Sequence, residues 1–206
     1  MPAGVILAGG RSRRMGGRNK ALLPLAGKPL LRHVIDRLHP QLDALYLSVE
    51  QASDAMAVFG LPQVVDPEPD AGPLAGLLAA LQKSASNHEW LLLAPCDAPF
   101  IPRDLAARLL DCALSAALAG AVVRYAAEIQ PTFSIWNRSF LPLLEQAVMD
   151  EKMAGFKQFL RVNELAVLEW PGSDPSPFFN INDQDALHHA GCLIESETGE
   201  PDPCAA

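Results

Sequence analysis

Cysteine is scarce in this chain, aromatic residues make up only 6% of it, and cations are outnumbered by acids. Each shortage excludes something. The four cysteines, Cys96, Cys112, Cys192 and Cys204, stand far apart without CxxC or Cys/His ligand spacing, which supports neither a structural zinc nor a disulfide framework. Four unpaired thiols fit a reducing cytoplasm, and that is the expected location. Lys and Arg number 16 against 24 Asp and Glu, a formal charge of −8. An extended basic surface is therefore missing, and with it the usual means of binding nucleic acid or an anionic membrane. Long apolar runs are missing too. The most continuous one, residues 105–123, is interrupted by Arg108 and Asp111 and broken at Gly120, so it reads as a helix followed by a strand rather than a membrane span. Val5–Ala8 is too short for the apolar part of a signal peptide and has no basic segment ahead of it, so export is not expected.

What is present is enough for a folded core: half of the 206 residues are hydrophobic. Short β-branched or leucine-rich runs at Val5–Ala8, Ala44–Val49, Gln63–Val65, Trp90–Ala94 and Ala121–Tyr125 predict strands. Between them, Leu30–Leu38, Leu74–Lys83 and Pro102–Leu118 carry helical spacing. Such alternation predicts an α/β protein whose mostly parallel sheet is covered by helices on both sides. The second half adds predicted strands at Gln130–Ile135 and Leu165–Trp170, predicted helices at Ser139–Met149 and Phe156–Val162, and a segment Phe178–Asp183 before a short closing helix. Residues 1–193 are expected to form one domain, and the acidic, Gly- and Pro-containing stretch 194–206 a flexible tail.

In open α/β sheets ligands bind beyond the carboxyl ends of the strands, which directs attention to the loops Gly9–Lys20, Asp66–Gly72 and Pro95–Pro102. The first holds Gly9, Gly10, Gly16 and Gly17 beside Arg11, Arg13, Arg14, Arg18 and Lys20. Glycines let backbone amides converge on an anion, and clustered cations give charge-assisted contacts to a triphosphate. Neither GxGxxG nor the GK[ST] of a P-loop is present, so the cradle is of another kind; a solvated basic turn is the plain alternative. In "LLLAPCDAPFIP", Asp97 follows a strand end at once, which suits Mg²⁺, an ion held by one or two carboxylates with substrate phosphates. A turn residue beside proline explains Asp97 equally well. Asp66 ends a short strand and can contact a base or ribose or join Asp97 at a metal, while Asp70 can equally be no more than a loop residue; spacing does not decide. Gly72, Pro73 and Leu74 lead into a helix whose N-terminus can face an anion. The histidines His33, His39, His88, His188 and His189 fall in predicted helices or a surface turn, which disfavours serine or cysteine catalysis at Cys96.

Taken together, "LAGGRSRRMGGRNKALL", "DPEPDAGPLAG", "APCDAPFIP" and "FFNINDQDAL" resemble the molybdenum cofactor guanylyltransferase (MobA) family, in order over roughly residues 4 to 190. The resemblance implies a Rossmann-like three-layer α/β/α fold that uses GTP and Mg²⁺ to transfer GMP to the terminal phosphate of molybdopterin, releasing pyrophosphate. It also implies that Leu7, Ala8, Gly9 and Gly10 line the nucleotide site, Lys20 and Arg14 meet phosphates, Asp66 contacts the nucleotide and Asp97 binds the metal. Gly72, Pro73, Leu74, Asn180 and Asn182 take supporting roles. Relatives using CTP typically carry LAAG, whereas this chain has Leu7-Ala8-Gly9-Gly10, as GTP users do. Three positions depart from the family's pattern: Asn19-Lys20-Ala21 for Asp-Lys-Gly, Ser48 for an Asn, and Glu151-Lys152-Met153 where paired arginines are usual. For the acceptor, Lys152, Arg161 and Arg138 are contacts by charge alone, and surface solvation accounts for them as well. Cofactor-insertion or chaperone proteins are implied partners. The rival functions are a nucleotidyltransferase for another phosphorylated acceptor, with CTP or GTP, and a non-catalytic nucleotide-binding protein that hands over molybdenum cofactor.

Overall fold

The first strand, β1 (Ala3–Leu7), is short and apolar because both of its faces are covered: Ile6 joins one core cluster, Ala3 and Val5 the other. The structure is a computed structural model, and residues 1–9, 19–66, 72–153 and 155–198 are described. A 3₁₀ turn (Lys20–Leu22) leads to a small hairpin of β2 (Pro24–Leu25) and β3 (Lys28–Pro29). Its two-residue turn puts Ala26 at φ 44° and Gly27 at φ 75°, the two positive values that match the twist of paired strands. Helix α1 (Leu30–Leu38) follows, burying Leu30, Leu31, Val34, Ile35 and Leu38, the spacing of one helical face. Next come β4 (Ala44–Val49), α2 (Asp54–Ala57), β5 (Gln63–Val65), α3 (Pro73–Ser84), β6 (Trp90–Pro95) and α4 (Leu105–Ser115). The second half contains β7 (Gly120–Tyr125), β8 (Glu128–Asn137), α5 (Leu141–Glu145), α6 (Phe156–Val162), β9 (Ala166–Glu169) and α7 (Gln184–Thr198).

Seven strands form one sheet in the order β5-β4-β1-β6-β8-β7-β9. All neighbouring pairs are parallel except the two that involve β8. Helices α1 and α4 belong to the core cluster on one face, and α3, α5 and α6 to that on the other, which is the expected three-layer α/β/α arrangement. The chain runs outward from β1 through β4 to β5, then returns to lay β6 on the other side of β1. That reversal is a topological switch point, and it opens a crevice beyond Leu7 and Pro95, which are opposite each other in the register.

Several boundaries differ from the sequence reading. Helix α4 begins at Leu105 instead of Pro102 and stops at Ser115 instead of Leu118. It stops because Ala117 enters the left-handed region at φ 53°, with Leu118 N–H donating to Ala113 C=O and Ala117 N–H to Leu114 C=O, a Schellman closure. The helix expected over Ser139–Met149 is a 3₁₀ turn (Arg138–Phe140), α5 and a π turn (Gln146–Asp150) in succession. Pro142 lies in the first turn of α5, where its missing N–H breaks no helical bond. Strand β8 is longer than Gln130–Ile135 and antiparallel to both neighbours. The closing helix is not short: α7 has 15 residues and continues past Ile194 to Thr198. Cys96 and Cys112 are free but Cys192 is disulfide-bonded, which corrects the expectation of four unpaired thiols. Among the described residues no helix is long and apolar enough to cross a membrane.

Candidate functional site

The carboxyl ends of β1, β4, β5 and β6 finish together, and backbone bonds hold the residues just beyond them. Ala8 N–H donates to Ser48 C=O (2.9 Å), Cys96 N–H to Leu7 C=O (3.1 Å) and Asp66 N–H to Val49 C=O (3.2 Å). Gly9 runs close against the neighbouring loop: a Cβ there would stand 3.3 Å from the Glu50 backbone nitrogen. Gly10, Arg11, Arg13, Arg14 and Arg18 lie outside the described residues, as does Asp70. At Asn19 the side-chain oxygen accepts from Ala21 N–H (3.0 Å) and caps the 3₁₀ turn that carries Lys20. Asparagine is as good an N-cap as aspartate, so this local function survives the departure from Asp-Lys-Gly.

Lys20 then joins three loops that are remote in sequence. Its Nζ donates to Asp97 Oδ2 at 2.5 Å and to Asn182 Oδ1 at 2.9 Å. The lysine and aspartate side chains are only 15% and 18% exposed, so solvent screens their attraction less than it would on an open surface. The loop bearing Asn182 is fastened by Ile181 N–H donating to Asp97 C=O (2.9 Å), with the Ile181 side chain fully buried. Two residues before Asn182, the Oδ1 of Asn180 is buried without a hydrogen-bond partner. An unsatisfied buried acceptor is costly, and a donor supplied by a ligand would relieve it.

A second group forms beside the first. The Ser48 hydroxyl donates to Asp66 Oδ1 at 3.1 Å, and Ser48 is 2% exposed. Burial pushes the Asp66 carboxyl above the ordinary aspartate value, the Ser48 hydrogen bond opposes that rise, and the nearby Glu50 charge adds to it. The start of α3 closes over this pair. Gly72 caps the helix at φ 75°, Pro73 opens it and Leu74 is fully buried. One turn in, Gly76 has no room for a side chain: a Cβ would come within 3 Å of Ser48 Oγ and Leu7 Cδ2 and 3.3 Å from Asp66 Oδ1. Asp66 is thus tied to Ser48 and Asp97 to Lys20, with β4 and β1 standing between β5 and β6.

The MobA-like NTP transferase domain family matches residues 4–168, four-fifths of the chain. The chain belongs to that family. It is 38% identical to the molybdenum cofactor guanylyltransferase of Rhodopseudomonas palustris (strain BisB5), over 90% of each chain. In solved structures it resembles the molybdopterin-guanine dinucleotide biosynthesis protein A of Archaeoglobus fulgidus, with a TM-score of 0.77 at 22% identity, covering 95% of this chain and all of that one. A Mycobacterium tuberculosis protein crystallised with manganese has a TM-score of 0.67 at 22% identity, covering 91% of this chain and 96% of that one. These two likenesses concern the fold.

Within this MobA-like NTP transferase the sequence-derived residues fall into place unevenly. Leu7, Ala8, Gly9, Lys20 and Asp97 meet at the switch point, and Asp66 with Gly72, Pro73 and Leu74 lies along the β4–β5 side of it. Reasoning from the sequence missed two features: the direct reach of Asn182 to Lys20, and the dependence of the Ser48–Asp66 pair on Gly76. Only the resemblance pointed to the Asn180–Asn182 segment, since 162 residues separate Lys20 from Asn182. Cys96 adjoins Asp97, yet burial and then the Asp97 charge push its thiol up to about 12, so it stays protonated and is no nucleophile. Among the described residues no group of three or more His, Cys, Asp or Glu is arranged to hold a metal. Asp97 fits Mg²⁺ on other grounds: Lys20 engages one of its two oxygens, and an ion that takes one carboxylate plus substrate oxygens and water needs no larger protein cage.

Proposed function

We propose that this chain transfers GMP from GTP to the terminal phosphate of molybdopterin, with Mg²⁺, in the cytoplasm, and passes the product to a cofactor-insertion partner. The observation that carries the reading is the convergence of Lys20, Asp97 and Asn182 at the switch point of a MobA-like NTP transferase sheet. The 38% identity to a protein named for this activity supports it further.

In the reaction an oxygen of the acceptor phosphate forms a bond to the α-phosphorus of GTP while the bond to the oxygen bridging to the β-phosphate breaks and pyrophosphate leaves. No protein nucleophile is needed, which agrees with the inert Cys96 thiol. Positioning and charge neutralisation carry the rate. Leu7, Ala8 and Gly9 offer backbone to the nucleotide, and the nearness of Gly9 to Glu50 keeps that wall thin. Asp66, oriented by Ser48, accepts hydrogen bonds from the guanosine. Lys20, held by Asp97 and Asn182 before substrate arrives, presents a fixed positive charge to the phosphates, so little reorganisation remains for the transition state. Asp97 would hold Mg²⁺, which, when bound, offsets the charge on the reacting phosphates. Asn180 gains the partner its buried oxygen lacks when a donor of the substrate enters.

The test is pyrophosphate release measured with GTP, CTP and ATP against molybdopterin, a sugar phosphate and an isoprenoid-precursor phosphate. Release only with GTP and molybdopterin is expected. Release with CTP and a different acceptor, or tight GTP binding without release, would replace this reading with one of its rivals.

A further inference from the structure

The residues that receive the acceptor are still unassigned, and the fold offers a place for them. A cavity of about 510 Å³ is lined by Arg124, Glu128, Ile129, Pro131, Lys157 and Arg161 among others. Its position follows from the register. Strand β8 is antiparallel to β6, with Leu93 opposite Ser134, so moving along β6 toward Asp97 leads back along β8 toward Pro131. Strand β7 is antiparallel to β8 in turn, which puts Arg124 near its carboxyl end at the same sheet edge. One or two strand spacings, roughly 5–10 Å, separate this wall from the β6 line. The face also agrees: Ile129 and Leu160 pack against the core cluster that contains the start of α3. The strand order thus puts the cavity on the β8 side of β6 and Asp97, opposite to the side that carries Ser48 and Asp66. A register shift in β8 between the partners of Val122 and Val123, Ser134 and Gln130, sits at its rim, a frequent place for strand irregularities beside active sites.

The lining is chemically lopsided. Arg124, Lys157 and Arg161 stand against Glu128, and Arg124 is itself paired with Glu169 at 2.7 Å. Lys157 and Arg161 are one helical turn apart on α6, both exposed, and neither is in an ion pair among the described residues. Like charges at this spacing disfavour a helix, and an anion seated between them removes the penalty. Ile129, Pro131 and Leu160 supply an apolar wall, and the volume is in the usual range for a small organic ligand. Charge alone points also to Lys152 and Arg138; the Arg138 guanidinium donates to Ala85 C=O (3.3 Å), and Arg138 follows the end of β8 opposite to the one that lines this cavity.

We propose that this cavity is the acceptor subsite, where Lys157 and Arg161 hold the anionic acceptor while Ile129 and Pro131 pack against its ring system. The assignment rests on the guanylyl-transfer reading above. Its test is steady-state GMP transfer by the full-length Lys157→Gln/Arg161→Gln variant, varying molybdopterin at saturating GTP and the reverse. Both side chains are exposed, so the variant should fold, which circular dichroism checks. Loss of two charged contacts is expected to raise KM for molybdopterin by at least about tenfold, with KM for GTP unchanged and Lys157→Arg close to wild type. An unchanged molybdopterin KM overturns the proposal, and so does a rise confined to GTP, which would give the cavity to the nucleotide. Should the wild-type protein transfer no GMP to molybdopterin, that failure belongs to the proposed activity. The subsite is then judged on whichever phosphorylated acceptor supports pyrophosphate release, or, if none does, on equilibrium binding of molybdopterin. A tenfold loss in the variant upholds it, and equal affinity overturns it.

Discussion

Lys20 is the residue on which most of the site converges, and it is fixed by two partners before any substrate is present. Its replacement by alanine should cut turnover by roughly 10²-fold or more, the scale of losing one preorganised charge contact, as read from pyrophosphate release. Asn182→Ala should cost less, because Asp97 still holds the ammonium. Cys96 is the opposite case, placed beside the chemistry but kept out of it by its protonated state, so Cys96→Ala should retain turnover within about twofold of wild type, given the small volume removed. Asp66 yields a pH argument. Its folded pKa lies above its ordinary value, so the folded state binds this proton more tightly than the unfolded chain does. Stability from that source is present below the unfolded value of 3.8 and lost as pH rises through the raised folded one. Asp66→Asn should therefore unfold at a higher temperature than wild type at pH 7, with the gain shrinking toward pH 4, while GTP affinity falls. A variant that binds GTP as wild type does would remove Asp66 from the nucleotide site.

Among the elements, α3 shows how closely packing and site are linked. An alanine within a helix ordinarily gains about 1 kcal/mol over glycine, but at position 76 the added methyl meets Ser48, Leu7 and Asp66. Overpacking typically costs about 1–3 kcal/mol, so Gly76→Ala should be a net loss in denaturant unfolding and should weaken GTP binding by displacing the Ser48–Asp66 pair. The loop before Asn180 relies on Phe178, 4% exposed, whose ring meets Phe133, Tyr125 and Trp170 at centroid distances of 4.8, 5.5 and 5.3 Å. Truncating it to alanine should cost roughly 3–5 kcal/mol, measured by urea unfolding. Elements buried on both faces, as β4 is, or carrying an amphipathic stripe, as α1 and α6 do, were legible in the sequence and have the bounds their patterns predict; so does the edge strand β5, legible from its short β-branched run. Those decided by backbone conformation were not. Leu114 and Leu118 keep helical spacing, yet Leu114 is 58% exposed and the helix ends where Ala117 turns left-handed. The β2–β3 hairpin turns on Ala26-Gly27 without an Asn-Gly or Asp-Gly signal, so nothing in the pattern announced it.

At the scale of the whole molecule, an acidic protein holds the partly buried Lys20 at the carboxyl edge of its sheet, where the proposed anionic substrates would be received. The loop locations were readable because strand ends bring chemistry together in any open α/β sheet. Which loops touch was not readable, since the strand order that joins residue 20 to residues 97 and 182 is a property of the tertiary fold alone. The central claim is that Lys20 and Asp97 form one half of a metal-assisted nucleoside triphosphate site. Isothermal titration calorimetry of GTP into wild-type protein and Asp97→Asn, each with Mg²⁺ and with EDTA, tests it most directly. Binding that needs Mg²⁺ in the wild type and loses that dependence in Asp97→Asn is the predicted result; equal Mg²⁺-dependent binding by both proteins would contradict it.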